Sequence, residues 1–271
     1  MRIASLGHAV FAAAMIGLGL MGFLRGDFEG VWGGVPAHLP TREVLPYLCA
    51  FIALACGVGL LFLATAAFAA RLLVIVLLFW LLVFKGRFII AAPLEEGSYQ
   101  SAGETAVIVA GAWVLYAWFA SDRDKRGLGF ATGDNGVAIA RVLFGLALIA
   151  FGFSHFVYLD MTAPLVPAWL PGSGIAWAYF TGGAYLAAGI AVLTGVFARL
   201  AAALSTLQMG GFLVLIWIPL AASGHIGAFQ WGEFVVTCVL VASGWVVTDS
   251  YRDRGWFAAR SGPMASPSPR R

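Results

Sequence analysis

The chain has 271 residues, of which 61% are apolar and only 11% are Asp, Glu, Lys or Arg, against about 25% charge in an ordinary soluble domain. So little charge cannot cover a water-facing surface, which excludes a soluble globular protein. The formal net charge of +3 comes without a basic patch interleaved with aromatics, which argues against a nucleic-acid partner.

In chain order, continuous apolar runs predict an all-α, polytopic membrane protein with about eight transmembrane helices. They cover Ser5 to Leu24, Val44 to Ala64, Phe68 to Ile90, Ala102 to Ala120, Val137 to Val157, Gly174 to Leu193, Ala198 to Leu220 and Gly227 to Val247. Each is close to the length, about 20 residues, that carries a helix across roughly 30 Å of hydrocarbon. The first run follows Arg2 but is long and lacks a clear cleavage site, so it reads as a retained span rather than a secretory signal.

The two halves match each other. Val35-Pro36-Ala37-His38-Leu39-Pro40 aligns with Val166-Pro167-Ala168-Trp169-Leu170-Pro171, Arg71 with Arg199, and Gly103-Glu104 with Gly232-Glu233. Offsets so nearly constant predict two tandem four-helix units, 1–125 and 137–250, joined by a cytoplasmic linker over 126–136 and followed by a disordered tail over 251–271. An even number of spans per unit makes the repeat parallel. Only Arg25, Arg42, Lys85 and Arg87 of the sixteen Lys and Arg fall on the side opposite the termini. That bias predicts both termini in the cytoplasm of a bacterial-type inner membrane.

Cys49, Cys56 and Cys238 form no CxxC pair. Seven residues of helix put Cys49 and Cys56 about 10 Å apart, too far to bridge, so they read as packing residues. Arg71 and Arg199, heading the third and seventh spans, read as snorkelling to lipid phosphates. The candidate chemistry lies in the outer layer. Glu104 and Glu233 are read at the outer starts of the fourth and eighth spans, where a helix N-terminus stabilises a carboxylate. Glu233 is flanked by Trp231 and Phe234, so it should lie inside the apolar boundary and need a partner. His155, His225, Lys85 and Arg87 are the candidates. The expectation is that Glu233, His155 and His225 converge as a catalytic pocket under the loop carrying Trp169, with Trp169 and Trp231 as aromatic contacts for a bound group. Two histidines without metal-ligand spacing predict no metal site.

Arg141-Val142-Leu143-Phe144-Gly145, Phe153-Ser154-His155-Phe156, the Pro-containing loop, Arg199 and Trp231-Gly232-Glu233 together resemble the DoxX/DoxD-like membrane family, over nearly the whole chain as two units. The resemblance implies an accessory or quinone-facing subunit of a membrane redox system in a respiratory chain, with membrane lipids, quinone and other redox subunits as partners. The alternatives are a small-solute or lipid transporter with its site between the repeats, and a structural assembly partner.

Overall fold

The structure, a computed structural model, describes residues 3–28 and 30–259. It is 79% helical with no strands among the described residues. The spanning helices are α1 (Leu6–Arg25), α2 (Leu45–Leu60), α3 (Leu63–Ala91), α4 (Glu96–Phe119), α5 (Gly133–Val157), α6 (Gly174–Thr194), α7 (Ala198–Ala222) and α8 (Ala228–Asp249). All but α2 are long and apolar enough to cross a membrane by themselves, and α2 is a shorter apolar helix of 16 residues. Large apolar side chains such as Leu82 and Leu207, each 70% exposed, stand on the outer faces, where only lipid makes such exposure tolerable. This is an all-α polytopic membrane protein.

Local signals set the helix ends. The Ser5 hydroxyl accepts the His8 N–H at 3.1 Å and so caps α1, which ends at Gly26 in the left-handed region (φ 64°). His8 is fully buried. Its Nε2 meets the Leu60 carbonyl oxygen at 2.9 Å and its Nδ1 accepts the Ala4 N–H at 3.1 Å. The N-terminus is thereby tied to the end of α2.

The element succession from α1 to α4 recurs from α5 to α8. In both, the third helix carries one π-helical segment, Leu81–Lys85 in α3 and Leu213–Trp217 in α7. Consecutive helices pack side by side within each set of four. The first helix of each set, however, packs extensively on the last helix of the other, α1 on α8 and α5 on α4. The two sets are therefore interlocked, with α4 and α8 touching at the centre. Burial agrees: 83% of the most apolar window of α4 and 56% of that of α8 are buried, against 28–44% in the others. Gly111 makes the close approach possible, because a Cβ there would lie 2.9 Å from Ser243 Cα of α8. Gly, with no Cβ, is the residue that lets two helix backbones meet.

The side bearing the termini shows how Arg71 and Arg199 work, and it differs from lipid snorkelling. Arg71 pairs with Asp124 at 2.8 Å. Asp124 lies in the short helix Asp122–Gly127, closed by a reciprocal capping box with Ser121. Arg199 donates to the carbonyls of Arg252 (3.0 Å) and Arg254 (2.7 Å) and stacks on Trp256. Each arginine thus reaches 53 residues on, to the segment beyond the last helix of its set. Protein acceptors outcompete lipid for both because those segments fold back beside the helix ends. The expected disorder of the tail is corrected in its first part: Tyr251 is buried, and the Phe197 N–H donates to the Ala258 carbonyl at 2.9 Å. The remainder, 260–271, lies outside the described residues. The 126–136 linker contains a helical turn at Gly129–Ala131 and the start of α5. Cys49 and Cys56 are buried free thiols, and Cys238 is half-buried and free.

Candidate functional site

On the side opposite the termini, α3, α4 and α8 meet around one buried ammonium. A π-helical segment inserts extra backbone into a helical turn and rotates the remainder of the helix about its axis. Lys85 is the last residue of that segment in α3 and is only 5% exposed. Its Nζ donates to the Ser101 hydroxyl of α4 at 2.8 Å. Its charge also acts on Glu104 of α4 and Glu233 of α8, whose carboxylates in turn act on each other. Ser101 and Glu104 are three residues apart, on one face of α4. The direct hydrogen-bond partner of Lys85 is thus Ser101, with one carboxylate from each set of helices near enough to act on its charge, as a charge inside a bilayer requires company.

Lys85 ends the first π segment as Trp217, also buried, ends the second. Glu96, two turns before Glu104, adds to the negative field there, and both its carboxylate oxygens are buried without a hydrogen-bond partner.

Glu104 and Glu233 line a cleft of about 380 Å³. Its other walls include Ser101, Trp231 and Val236, and its rim carries Arg25, Asp27, Phe28 and Arg42. The Arg25 guanidinium lies 5.2 Å from the centre of the Trp231 ring and that of Arg42 5.2 Å from the centre of Phe28. The loop after α1 forms one wall. Trp80 Nε1 donates to Gly33 O at 3.1 Å and Arg87 to Gly34 O at 2.7 Å, holding that loop inward. At Gly30 the loop comes so close to α8 that a Cβ would lie 2.7 Å from Gly232 O. The indole N–H groups of Trp32 and Trp231 are buried without an acceptor. Chemically, the floor can take a cation or exchange a proton, and the rim can hold an acceptor.

Of the residues expected to form the site, Glu233 and Trp231 line this cleft, and His155, His225 and Trp169 do not. The expected histidine–glutamate convergence is therefore corrected. Its physical reason is the facing of α8: Glu233 is turned toward α4 and α3, across the junction of the two sets. His155 of α5 is turned into its own set, where Nδ1 meets Phe151 O at 2.8 Å and the ring stacks on Phe212 beside Tyr185. His225 is exposed, with a ring nitrogen 2.8 Å from Ser223 O, and Trp169 is exposed. The loop that folds over a cavity is the first one, not the one bearing Trp169. Glu104 is likewise not at a helix start, because α4 begins at Glu96; the groups that favour its charge are Lys85 and Gln100. Ser101 was not singled out by the sequence. Its signal is its place three residues before Glu104 on the same helical face.

A family model described as a domain of unknown function (DUF8561) matches residues 144–248, from within α5 to the end of α8. No curated protein and no solved structure matches the chain.

Proposed function

We propose that the protein is a membrane carrier for a small polar solute, bound in the cleft between its two four-helix units. In this reading the units are tandem repeats, and the protein sits in a bacterial-type inner membrane with both termini cytoplasmic. The observation that carries it is that Glu104 of one unit and Glu233 of the other line one cleft, with the buried Lys85 held beside them on Ser101. Ionisable groups inside a membrane bundle mark solute and proton pathways, and tandem-repeat carriers place their site at the repeat interface. A cleft of about 380 Å³ is at the small end of ligand pockets, about 300–1,000 Å³. The test is solute-evoked current or pH change in proteoliposomes across a panel of small cations, anions and zwitterions. A signal lost in Glu104→Gln and Glu233→Gln supports the carrier. Silence across the whole panel, with folded protein in the vesicles, removes it.

A second reading comes from the family resemblance, a quinone-facing accessory subunit of a membrane redox system. It is favoured by the His155 ring stacked at 5.7 Å on Phe212 and flanked by Tyr185 at 5.5 Å, an aromatic setting that suits a quinone ring. Quinone recovered from the purified wild type but not from His155→Leu would select it.

A further inference from the structure

We propose that Phe197, Trp256 and Phe257 form an interfacial anchor, seated in the phospholipid headgroup layer on the side of the termini; this is independent of what the cleft carries. The rings come from the tight loop between α6 and α7 and from the segment after α8. The Phe197 N–H donates to the Ala258 carbonyl at 2.9 Å, and the Phe197 and Phe257 rings meet edge to face at 6.2 Å. The Arg199 guanidinium, fixed on the carbonyls of Arg252 and Arg254, lies 4.1 Å from the centre of the Trp256 ring. The patch is thus built by contacts between two elements, and all three rings are exposed, Phe257 to 75%.

Backbone strain marks the same place. Among the described residues, Phe197 alone has a positive φ without being Gly, at 52°. That conformation crowds a side chain against the backbone, and Gly enters it freely. A Phe held there against that cost points to a use for its ring.

Position and chemistry name the occupant. α6 ends at Thr194 and α7 starts at Ala198, so the loop lies at the ends of two spanning helices. Leu193 and Val196 beside it are exposed as well, which makes the patch continuous with the lipid-facing surface. The indole N–H of Trp256 has no acceptor among the described residues. A phospholipid supplies both things the patch lacks, an ester or phosphate oxygen for the N–H and acyl carbon for the rings. Amphipathic rings collect at that boundary for this reason.

The test places an environment-sensitive NBD fluorophore at Phe257→Cys in the full-length protein, held in phosphatidylcholine nanodiscs. Wild type treated in parallel reports the background from Cys49, Cys56 and Cys238. Lipid carrying a nitroxide in the headgroup should quench the label more than lipid carrying it at mid-chain. Aqueous iodide should quench it several-fold less than the same dye at Asp122→Cys, an exposed position on the same side. Phe197→Gly, which removes one ring and relieves the backbone, should lose part of the lipid quenching. Equal iodide quenching at the two positions, with none from either lipid, would overturn the anchor and leave a water-facing patch suited to a protein partner. Stronger quenching from mid-chain would overturn the headgroup placement, and unchanged quenching in Phe197→Gly would overturn the part given to Phe197.

Discussion

Replacing Lys85 by Met removes the cation that faces Glu104 and Glu233 while keeping the side-chain volume. Breaking a buried ion pair by deleting one partner costs about 3–5 kcal/mol, because the other charge stays behind unpaired. Both carboxylates are half-buried at a cleft that admits water, so the lower end applies, about 3 kcal/mol. At about 2–4 °C per kcal/mol for a chain of this size, melting in detergent, monitored by intrinsic fluorescence, should fall by about 6–12 °C. The sharper part of the test is the reversal. Adding Glu104→Gln to Lys85→Met removes one of the two repelling charges, and adding Glu233→Gln as well leaves a neutral polar cluster. Buried ion clusters replaced entirely by neutral groups of similar volume are commonly as stable as the original. The triple variant should therefore melt within about 3 °C of wild type, above the single variant. If Lys85→Met melts like wild type, or each added Gln lowers the melting point further, the three residues do not form one electrostatic unit and the site is wrongly built.

Four further outcomes test the frame around the site. The Ser121 hydroxyl, with Arg71, holds the Asp124 carboxyl below its usual value of 3.8. A group depressed on folding stabilises above its unfolded value and loses that contribution as pH falls through its folded one. The melting gap between wild type and Asp124→Asn should therefore be flat from pH 7 to about 5 and close below about pH 4; a gap that widens on acidification refutes the sign. Arg71 is 39% exposed, so the pair itself carries under about 1 kcal/mol, and Ser121→Ala should cost about 1 kcal/mol through the lost cap. Gly111→Leu should separate α4 from α8 and lower the melting point by several degrees, whereas Gly183→Leu, where a Cβ meets nothing, should leave it unchanged. Finally, cysteines introduced at Arg126 and Asp160 should label from opposite faces in intact cells, Asp160 from outside; the reverse pattern inverts the proposed orientation.

The spans were legible in the sequence because a bilayer demands long apolar runs, and their ends fall within a few residues of the helices observed. The largest departures are α3, which starts at Leu63 rather than Phe68, and α4, which starts at Glu96 rather than near Ala102. The first turns of α4 read as loop because Glu96, Ser98, Gln100 and Ser101 are polar, yet Ser101 lines the cleft and holds Lys85, and the Glu96 carboxylate oxygens are buried. Glu233 and Glu104 were legible as chemistry from their place near apolar boundaries, and Lys85 stood among the possible partners. What sequence spacing could not decide was which of several charges at one depth faces which. That depends on the rotation introduced by the π segment at Leu81–Lys85 and on the packing of α8 against α4. Spacing favoured His155 because it lies in the same unit as Glu233. The interlocking of the units puts the partner of Glu233 in the other unit.

The same interlocking brings two similar sets of four helices to one cleft. Glu104 and Glu233 occupy matching places on the two central helices, so strict symmetry would set two carboxylates against each other with either two lysines or none. Two lysines would neutralise the junction and leave nothing for a ligand to complete; none would leave a repulsion that the touching helices could not tolerate. In this chain Lys85, held on Ser101, lies beside the two carboxylates. Trp217 is buried in its own bundle. The loop that forms a wall of the cleft is the one held by Trp80 and Arg87, while Trp169 in its counterpart is exposed.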